Sequence, residues 1–423
     1  MEPNARARPV REGCPSTGAS RRLIPRHLPY EVRAFAFRIL DFVNLLLFPL
    51  ALLATVRSPA AVVISRPYDG ITRLERTESA PRTLRMQIVQ IDLTARKLSF
   101  KVTPPNGALD TIRQTTLDFL TQEHAQLGVN AHFFVPYPST NIEANLVGLA
   151  ASQGVLFSPF EPQPVAVGYA DQSYAIVPFA PALNIDSDNH ASVVHRDPGF
   201  ADNRHVLESV ALWNVVSGSA QILSNGLVTV PAYGAPGGLN ATNGYSTAHS
   251  WYAQLRARTT IGLTRGGQTL VLFTVDEAGG SAGMTVEEVA ELLRRDYDVY
   301  NALNLDGGGS TTLALQDPLT HSNSVVNAPS GSLPGRAVGS NLAVFAQPTP
   351  GLASRLTITV TESNAVVFSW PGQLHEPRLQ HNPGLNPAAW EDVPLVAVRL
   401  DNRAQIAIFP QTNPRFYRLL AAP

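Results

Sequence analysis

The run Asn304-Leu305-Asp306-Gly307-Gly308-Gly309-Ser310-Thr311-Thr312 is the densest concentration of chemically capable residues in the chain. A carboxylate precedes three successive glycines, and hydroxyls follow. Glycines carry no Cβ, so their backbone N–H groups can approach an anion closely. The lysine and spacing of a Walker phosphate loop are missing. On the run alone, Asp306 reads either as a carboxylate beside an anion site or as the first residue of a glycine-rich turn. A second carboxylate, Asp276, ends the apolar run Gln268 to Val275. Two carboxylates within one substrate's reach are groups that acid, base or nucleophilic work can use.

Other segments carry weaker signals. In Asn130-Ala131-His132-Phe133-Phe134, the Asn and His suit a sugar or phosphate, and a Phe suits the floor of a sugar site. The same residues also describe a buried strand with a capped Asn. Arg258-Thr259-Thr260 opens a strand, and a guanidinium fork there fits a phosphoryl group; a surface arginine is the other reading. Gly279-Gly280-Ser281-Ala282-Gly283 matches the nucleophile-elbow pattern, which would make Ser281 a hydrolase serine. Asp276-Glu277-Ala278 separate it from the strand, so a flexible loop is favoured. The histidines show no zinc-ligand spacing. Asp186-Ser187-Asp188 has the composition of a Ca²⁺ loop and equally of solvated loop acids.

Positioning these residues requires particular elements. Residues 268–275 form a continuous apolar strand, as expected of one covered on both faces. Thr285 and Glu288 form a capping box. Val286, Val289, Ala290 and Leu293 follow at helical spacing, predicting a helix over 286–296. Residues 302–305 are again a buried strand. Strand, helix, strand predicts a βαβ unit at 268–306 with neighbouring parallel strands about 4.8 Å apart. Asp276 and Asp306 then emerge at one sheet edge, where open α/β sheets bind ligands. The fold class expected is α+β or mixed α/β for the catalytic part. A hairpin turning at Thr94-Ala95-Arg96 is expected within 85–102, a helix over 111–128, and a long polar loop over 225–250. Pro348-Thr349-Pro350-Gly351 reads as a linker. Residues 354–423 alternate as short strands and predict a small all-β, sandwich-like C-terminal module, similar to those appended to exported bacterial proteins.

Composition bounds the function. The chain has 423 residues, 44% of them apolar and 15% charged, enough for a sizeable core. Its net charge of −1 offers no basic field for nucleic acid. Residues 1–60 hold nine arginines and four acids, leaving 23 bases against 29 acids over 61–423. The apolar run Phe42 to Val56 is broken by Pro49 and followed by small residues, as in a signal peptide; a signal anchor is the alternative. The single cysteine, Cys14, lies upstream of that run. A cleaved product would have no thiol, which excludes disulfides, Cys nucleophiles and thiolate metal sites. The expected organisation is a leader over 1–60, a catalytic domain over 61–347 and a β module over 353–423. The expected location is secreted, periplasmic or in the cell envelope, with membrane contact only through the leader.

Taken together, GVNAHFF at 128–134, VSGSAQILSNGLV at 216–228, RTTIGLTRGGQTLVLFTVD at 258–276, GMTVEEVAELL at 283–293, NALNLDGGGSTTL at 301–313 and GRAVGSNLAVF at 335–345 resemble the phosphodiester glycosidase family in order and spacing. The resemblance implies a mixed α/β domain that hydrolyses a sugar-1-phosphodiester, with a phosphorylated glycan or sugar-phosphodiester substrate. It requires no cofactor; a structural Ca²⁺ is compatible with it. Asp306, Asp276 and Arg258 are implied as catalytic. Asn130, Phe133, Thr259, Asn304, Gly307, Gly308, Gly309, Ser310, Arg336 and Asn341 are implied as substrate-binding, and His132 is expected beside them from its residue type alone. Three positions depart from the family pattern: His132 at a small-residue position, Ser217-Gly218-Ser219 for Gly-Gly, and Asp276-Glu277-Ala278 for Asp-Gly-Arg. An inactive glycan-binding or envelope protein on the same fold is the alternative function.

Overall fold

Alternation of apolar residues along its strands, with few long helical stretches, gives this chain a sheet-dominated fold. The computed structural model describes residues 61–163, 165–166, 174–232, 251–318, 320–349, 356–371, 378–384, 390–400, 403–409 and 415–420. The leader and most of the 225–250 loop (residues 233–250) lie outside them, as do 350–355 at the expected linker. In chain order the elements that frame the site are β1 (Ala61–Tyr68), β2 (Ile71–Glu78), β3 (Leu84–Asp92), β4 (Ser99–Val102), α1 (Thr116–Glu123), β5 (Leu127–Asn130), β6 (Ala220–Ser224), β7 (Arg258–Thr264), β8 (Thr269–Val275), α2 (Val286–Tyr297), β9 (Val299–Asn304), β10 (Leu313–Gln316), β11 (Asn341–Phe345) and β12 (Thr357–Val360).

Two sheets face each other. The first runs β6-β9-β7-β8-β3-β2-β1-β12, and the second contains β10-β5-β11-β4. Every pairing among these strands is antiparallel. Strand β8 shows why. Leu270 and Leu272 point into a core shared with Leu127, Val129, Leu313 and Leu342 of the second sheet. Val271, Phe273 and Val275 point the other way, onto Val286, Val289, Ala290 and Leu293 of α2. On the far face of the second sheet, Phe119 and Leu120 of α1 pack on Ala314 and Ala343. The result is four layers: helix, sheet, sheet, helix.

This overturns the α/β expectation, including its βαβ unit. Among the described residues there are two α-helices, and the sheets are antiparallel. The apolar run at 269–275 is buried on both faces, as expected, but a second sheet covers one face instead of a second helix layer. Strand β7 lies between β8 and β9, bonding both: Thr260 pairs with Phe273 on one side and Asn304 on the other. Strands β8 and β9 therefore share a direction but sit two strand spacings apart, about 9.6 Å. The hairpin expected at 94–96 does not form, because β3 pairs with β2 and β8 while β4 pairs with β11 in the other sheet. The helix expected over 111–128 contracts to α1. Thr111–Ile112 is strand, Thr115 caps the helix, and His124 ends it in the left-handed conformation.

Helix α2 begins where its capping box places it: Thr285 accepts from the Glu288 amide and Glu288 accepts from the Thr285 amide. At the other edge, Val62, Val63 and Ile64 of β1 pair with Val360, Thr359 and Ile358 of β12. Backbone hydrogen bonding thus continues from the first sheet into strands Val366–Pro371, Arg403–Ile408 and Val398–Leu400.

Candidate active site

The chain passes from the first sheet to the second through Asp306–Thr312, between β9 and β10. Asn130, at the end of β5, holds this crossing. Its side-chain amide donates to the Asp306 carbonyl at 2.6 Å, and its oxygen accepts from Thr259 Oγ1 at 2.8 Å and the Thr312 amide at 3.1 Å. Asn130, Thr259, Thr311 and Thr312 are fully buried. Thr259 Oγ1 lies between Asn130 and Thr311 Oγ1, and Asn130 also takes the Thr312 amide, as buried polar groups favour partners.

The expected nest of free amides does not form. The Gly307 amide donates to Asp306 Oδ1 at 2.9 Å, the Gly308 amide to the Ala257 carbonyl at 2.7 Å, and the Ser310 amide to the Gly307 carbonyl at 3.1 Å. What the glycines supply instead is room. Gly308 has φ +57°, in the left-handed region that favours glycine. A Cβ on Gly309 would collide with the Arg336 guanidinium.

Above this loop lies a cleft of about 520 Å³. Asp306 and Glu277 reach it as carboxylates, Arg256 and Arg336 as cations, and Phe133, Tyr137 and Trp251 as aromatic wall. Burial pushes the Asp306 carboxyl up to about 7, against the opposing pull of the Ser310 hydroxyl, the Arg336 charge and the Gly307 amide. Arg336 stacks over Tyr137 at 4.6 Å and donates to Ser310 Oγ at 3.2 Å. Glu277 accepts from the Ala257 amide at 3.0 Å and from Ser330 Oγ at 2.7 Å. Phe133 meets Trp251 edge to face, with centroids 5.6 Å apart.

Of the residues expected from sequence, Phe133, Asp306, Gly307, Gly308, Gly309 and Arg336 line this cleft. The others stand behind it. Arg258 is fully buried beneath Trp251, 4.0 Å from the ring centroid. It donates to the carbonyls of Met284, Trp251 and Gln254, and burial pulls its guanidinium down to about 9. It fixes the aromatic wall rather than facing the cleft. Asp276 is 3% exposed; its oxygens accept from Asn327 Nδ2 at 2.8 Å and the Ala328 amide at 3.0 Å. Burial lifts its carboxyl to about 6 against those two bonds.

His132 is buried, with Nε2 3.0 Å from the Ser217 amide and 3.1 Å from the Leu149 carbonyl, and Nδ1 3.0 Å from Ser340 Oγ. Burial holds it down to about 4, so it is neutral. Asn304 donates to Ser219 Oγ at 2.9 Å, joining a second departure from the family pattern to β9. Asn341 accepts from Thr116 Oγ1 at 2.7 Å and ties α1 to β11. Ser310 is fully buried behind Arg336.

Ser281 donates to the Asp276 carbonyl at 2.6 Å and accepts from the Arg85 amide at 3.0 Å; it is a loop brace outside the cleft lining. Asp186 accepts from the amides of Asp188 and His190, closing its own loop. Among the described residues no group of three or more His, Cys, Asp or Glu could hold a metal ion.

Sequence reasoning did not select Glu277, Arg256, Trp251, Tyr137 or Ser330 for the site. Glu277 had a usable signal, being a second acid at the end of β8. Trp251 had another, following the polar loop directly.

A family model described as phosphodiester glycosidase matches residues 125–345. Over 65 residues the chain is 48% identical to the N-acetylglucosamine-1-phosphodiester alpha-N-acetylglucosaminidase of Mus musculus and 49% identical to that of Homo sapiens. Those alignments span 15% of this chain and 12% of each relative. Among solved structures, the chain is similar to the zebrafish N-acetylglucosamine-1-phosphodiester alpha-N-acetylglucosaminidase catalytic domain, auto-inhibited by its pro-peptide. The TM-score is 0.46 at 21% identity, covering 67% of this chain and 85% of that one. A hypothetical protein from Synechocystis is similar at TM-score 0.41 and 18% identity, over 66% of this chain and 62% of that one.

Proposed function

The chain belongs to the phosphodiester glycosidase family, and from that membership we propose that it hydrolyses a sugar-1-phosphodiester at the anomeric carbon, in the cleft over Asp306. One observation carries the reading: two carboxylates, two arginines and an aromatic wall meet around a single cleft. Water supplies the hydroxyl that ends on C1. The bond from C1 to the phosphate oxygen breaks, and the phosphomonoester leaves with its electron pair. A phosphomonoester is a stable anion, so the leaving group needs charge stabilisation more than a proton. Arg256 and Arg336 supply that charge. Asp306 supplies the carboxylate that acts at the anomeric centre, by attacking C1 or by taking the proton of the incoming water; the anomeric configuration of the product, retained or inverted, separates the two. Glu277 is the second carboxylate of the pair, in the place first assigned to Asp276. Trp251 and Phe133 offer ring faces to the sugar. The leader composition supports export, and no cofactor enters the reaction as written.

Hydrolysis of a glycosyl phosphodiester in ¹⁸O-labelled water tests the bond cleaved. The label is expected in the sugar. Label in the phosphomonoester would mean phosphorus chemistry. Binding of the diester without any release would favour a glycan-binding protein, a reading motivated by Glu277-Ala278 at a position where the family often has Gly-Arg.

A further inference from the structure

A second cavity, of about 370 Å³, adjoins the first and shares Phe134, Tyr137 and Arg336 with it. Its outer wall is the loop through Ser139, Thr140 and Asn141. Arg113 builds that wall: its guanidinium stacks over Phe134 at 4.9 Å and donates to the carbonyls of Pro136 at 2.6 Å, Ser139 at 3.3 Å and Glu143 at 3.1 Å. No Asp or Glu is among its lining residues. The nearby Glu143 carboxylate is turned away, accepting from the amides of Ala108 at 3.2 Å and Leu109 at 3.1 Å. The cavity's own lining carries two arginines, while the Asp306 and Glu277 carboxylates lie in the first cleft with the shared Arg336, so Arg113 is the cation that belongs to the second cavity alone, and low-dielectric walls concentrate its field.

A phosphodiester has two substituents. If the first cleft holds the sugar and Arg336 the phosphate, the other substituent leaves toward the side on which Arg336 faces the second cavity. We propose that this second cavity receives the far-side substituent of the phosphodiester and selects one that carries an anionic group, a carboxylate or a second phosphate. The proposal rests on the reading of the first cleft as a phosphodiester site.

The test compares two diesters of one sugar, with a carboxymethyl and a trimethylammonioethyl group beyond the phosphate. Wild-type kcat/KM is expected to favour the carboxymethyl diester by at least about tenfold at low salt, and less at high salt. In Thr140→Glu, at an exposed loop position, that ratio is expected to fall at least about fivefold as a like charge enters the cavity. A wild-type ratio near one, or a ratio unmoved by the substitution, overturns the proposal.

The product phosphomonoesters give a readout that needs no turnover. Phosphoglycolate should bind wild type more tightly than phosphocholine by calorimetry, and Thr140→Glu should narrow the gap. Equal affinities overturn the proposal even if both diesters are hydrolysed. A gap that narrows in Thr140→Glu while neither diester is hydrolysed supports the second site and removes the reaction assigned to the first.

Discussion

Asp306 is a carboxyl group held where its charge is costly. Burial lifts it to about 7, whereas an exposed aspartate titrates near 3.9. The native state therefore binds this proton more tightly than the unfolded chain does. The group's contribution to stability is complete below about pH 4 and is lost as the pH rises toward 7. At about 1.4 kcal/mol per unit over about three units, the loss is of the order of 4 kcal/mol. Asp306→Asn should accordingly be more stable than wild type at pH 8 by up to about 4 kcal/mol in urea unfolding, with the difference vanishing near pH 4; a variant less stable at pH 8 would contradict this. A working Asp306 carboxylate also gives kcat/KM a rising limb with its midpoint near 7. Gly309→Ala acts through a neighbour. The new Cβ displaces the Arg336 guanidinium, and losing a charged contact worth about 1.5–3 kcal/mol should lower kcat/KM at least about tenfold. Unchanged kinetics would remove Arg336 from the site.

Local signals made some elements legible and left their pairing obscure. Helix α2 could be read almost to the residue, since its capping box and apolar spacing are both local. Thr285→Ala should cost about 1 kcal/mol in urea unfolding; no change would mean the cap contributes nothing. Strand β8 was legible as a strand buried on both faces, but its neighbour was not, because nothing within 269–275 records that β7 lies beside it. The hairpin at 94–96 failed for the same reason: β3 and β4 alternate alike, and their partners lie far along the chain. Asp276 marks the difference between an element's end and a site. It stands at the same edge as Asp306 but fastens Asn327 and Ala328, in the segment that leads to Ser330 in the cleft wall. Asp276→Ala leaves the Ala328 amide unpaired, at about 1–3 kcal/mol, and leaves Asn327 with the Thr311 carbonyl alone. Hydrogen exchange at the Ala328 amide should quicken, and kcat should fall less than in Asp306→Asn. A loss of activity as deep as that of Asp306→Asn, with exchange unchanged, would make Asp276 a direct participant.

Four layers place the cleft where the chain crosses between two sheets, and this explains which site residues could be read from sequence. The motif residues Phe133, Asp306, Gly307–Gly309 and Arg336 reach the cleft. Asn130, Thr259, Arg258, Asn304 and Asn341 carry the same polar character, but their hydrogen bonds tie strands, α1 and the Trp251 segment together from behind. Residue type alone does not separate a side chain facing a ligand from one satisfying a buried neighbour. Glu277 and Trp251 carried a local signal, whereas Arg256 carried none and reaches the cleft because it enters β7 beside the end of β8. The outer edge of the first sheet matters as well. Strand β12 covers β1 at Val62–Ile64, so ending the chain at Gln347 would bare an edge of the kind that promotes association. The shortened chain should melt lower and aggregate more readily, with kcat/KM nearly intact; an unchanged melting temperature would show that β1 needs no cover. The claim on which the account rests is that Asp306 breaks a glycosyl phosphodiester, and ³¹P NMR of one sugar-1-phosphodiester incubated with wild type and with Asp306→Asn measures it directly. Wild type is expected to convert the diester signal to a phosphomonoester, and the variant at least about a hundredfold more slowly; equal conversion by both proteins, or none by wild type, would contradict that role for Asp306.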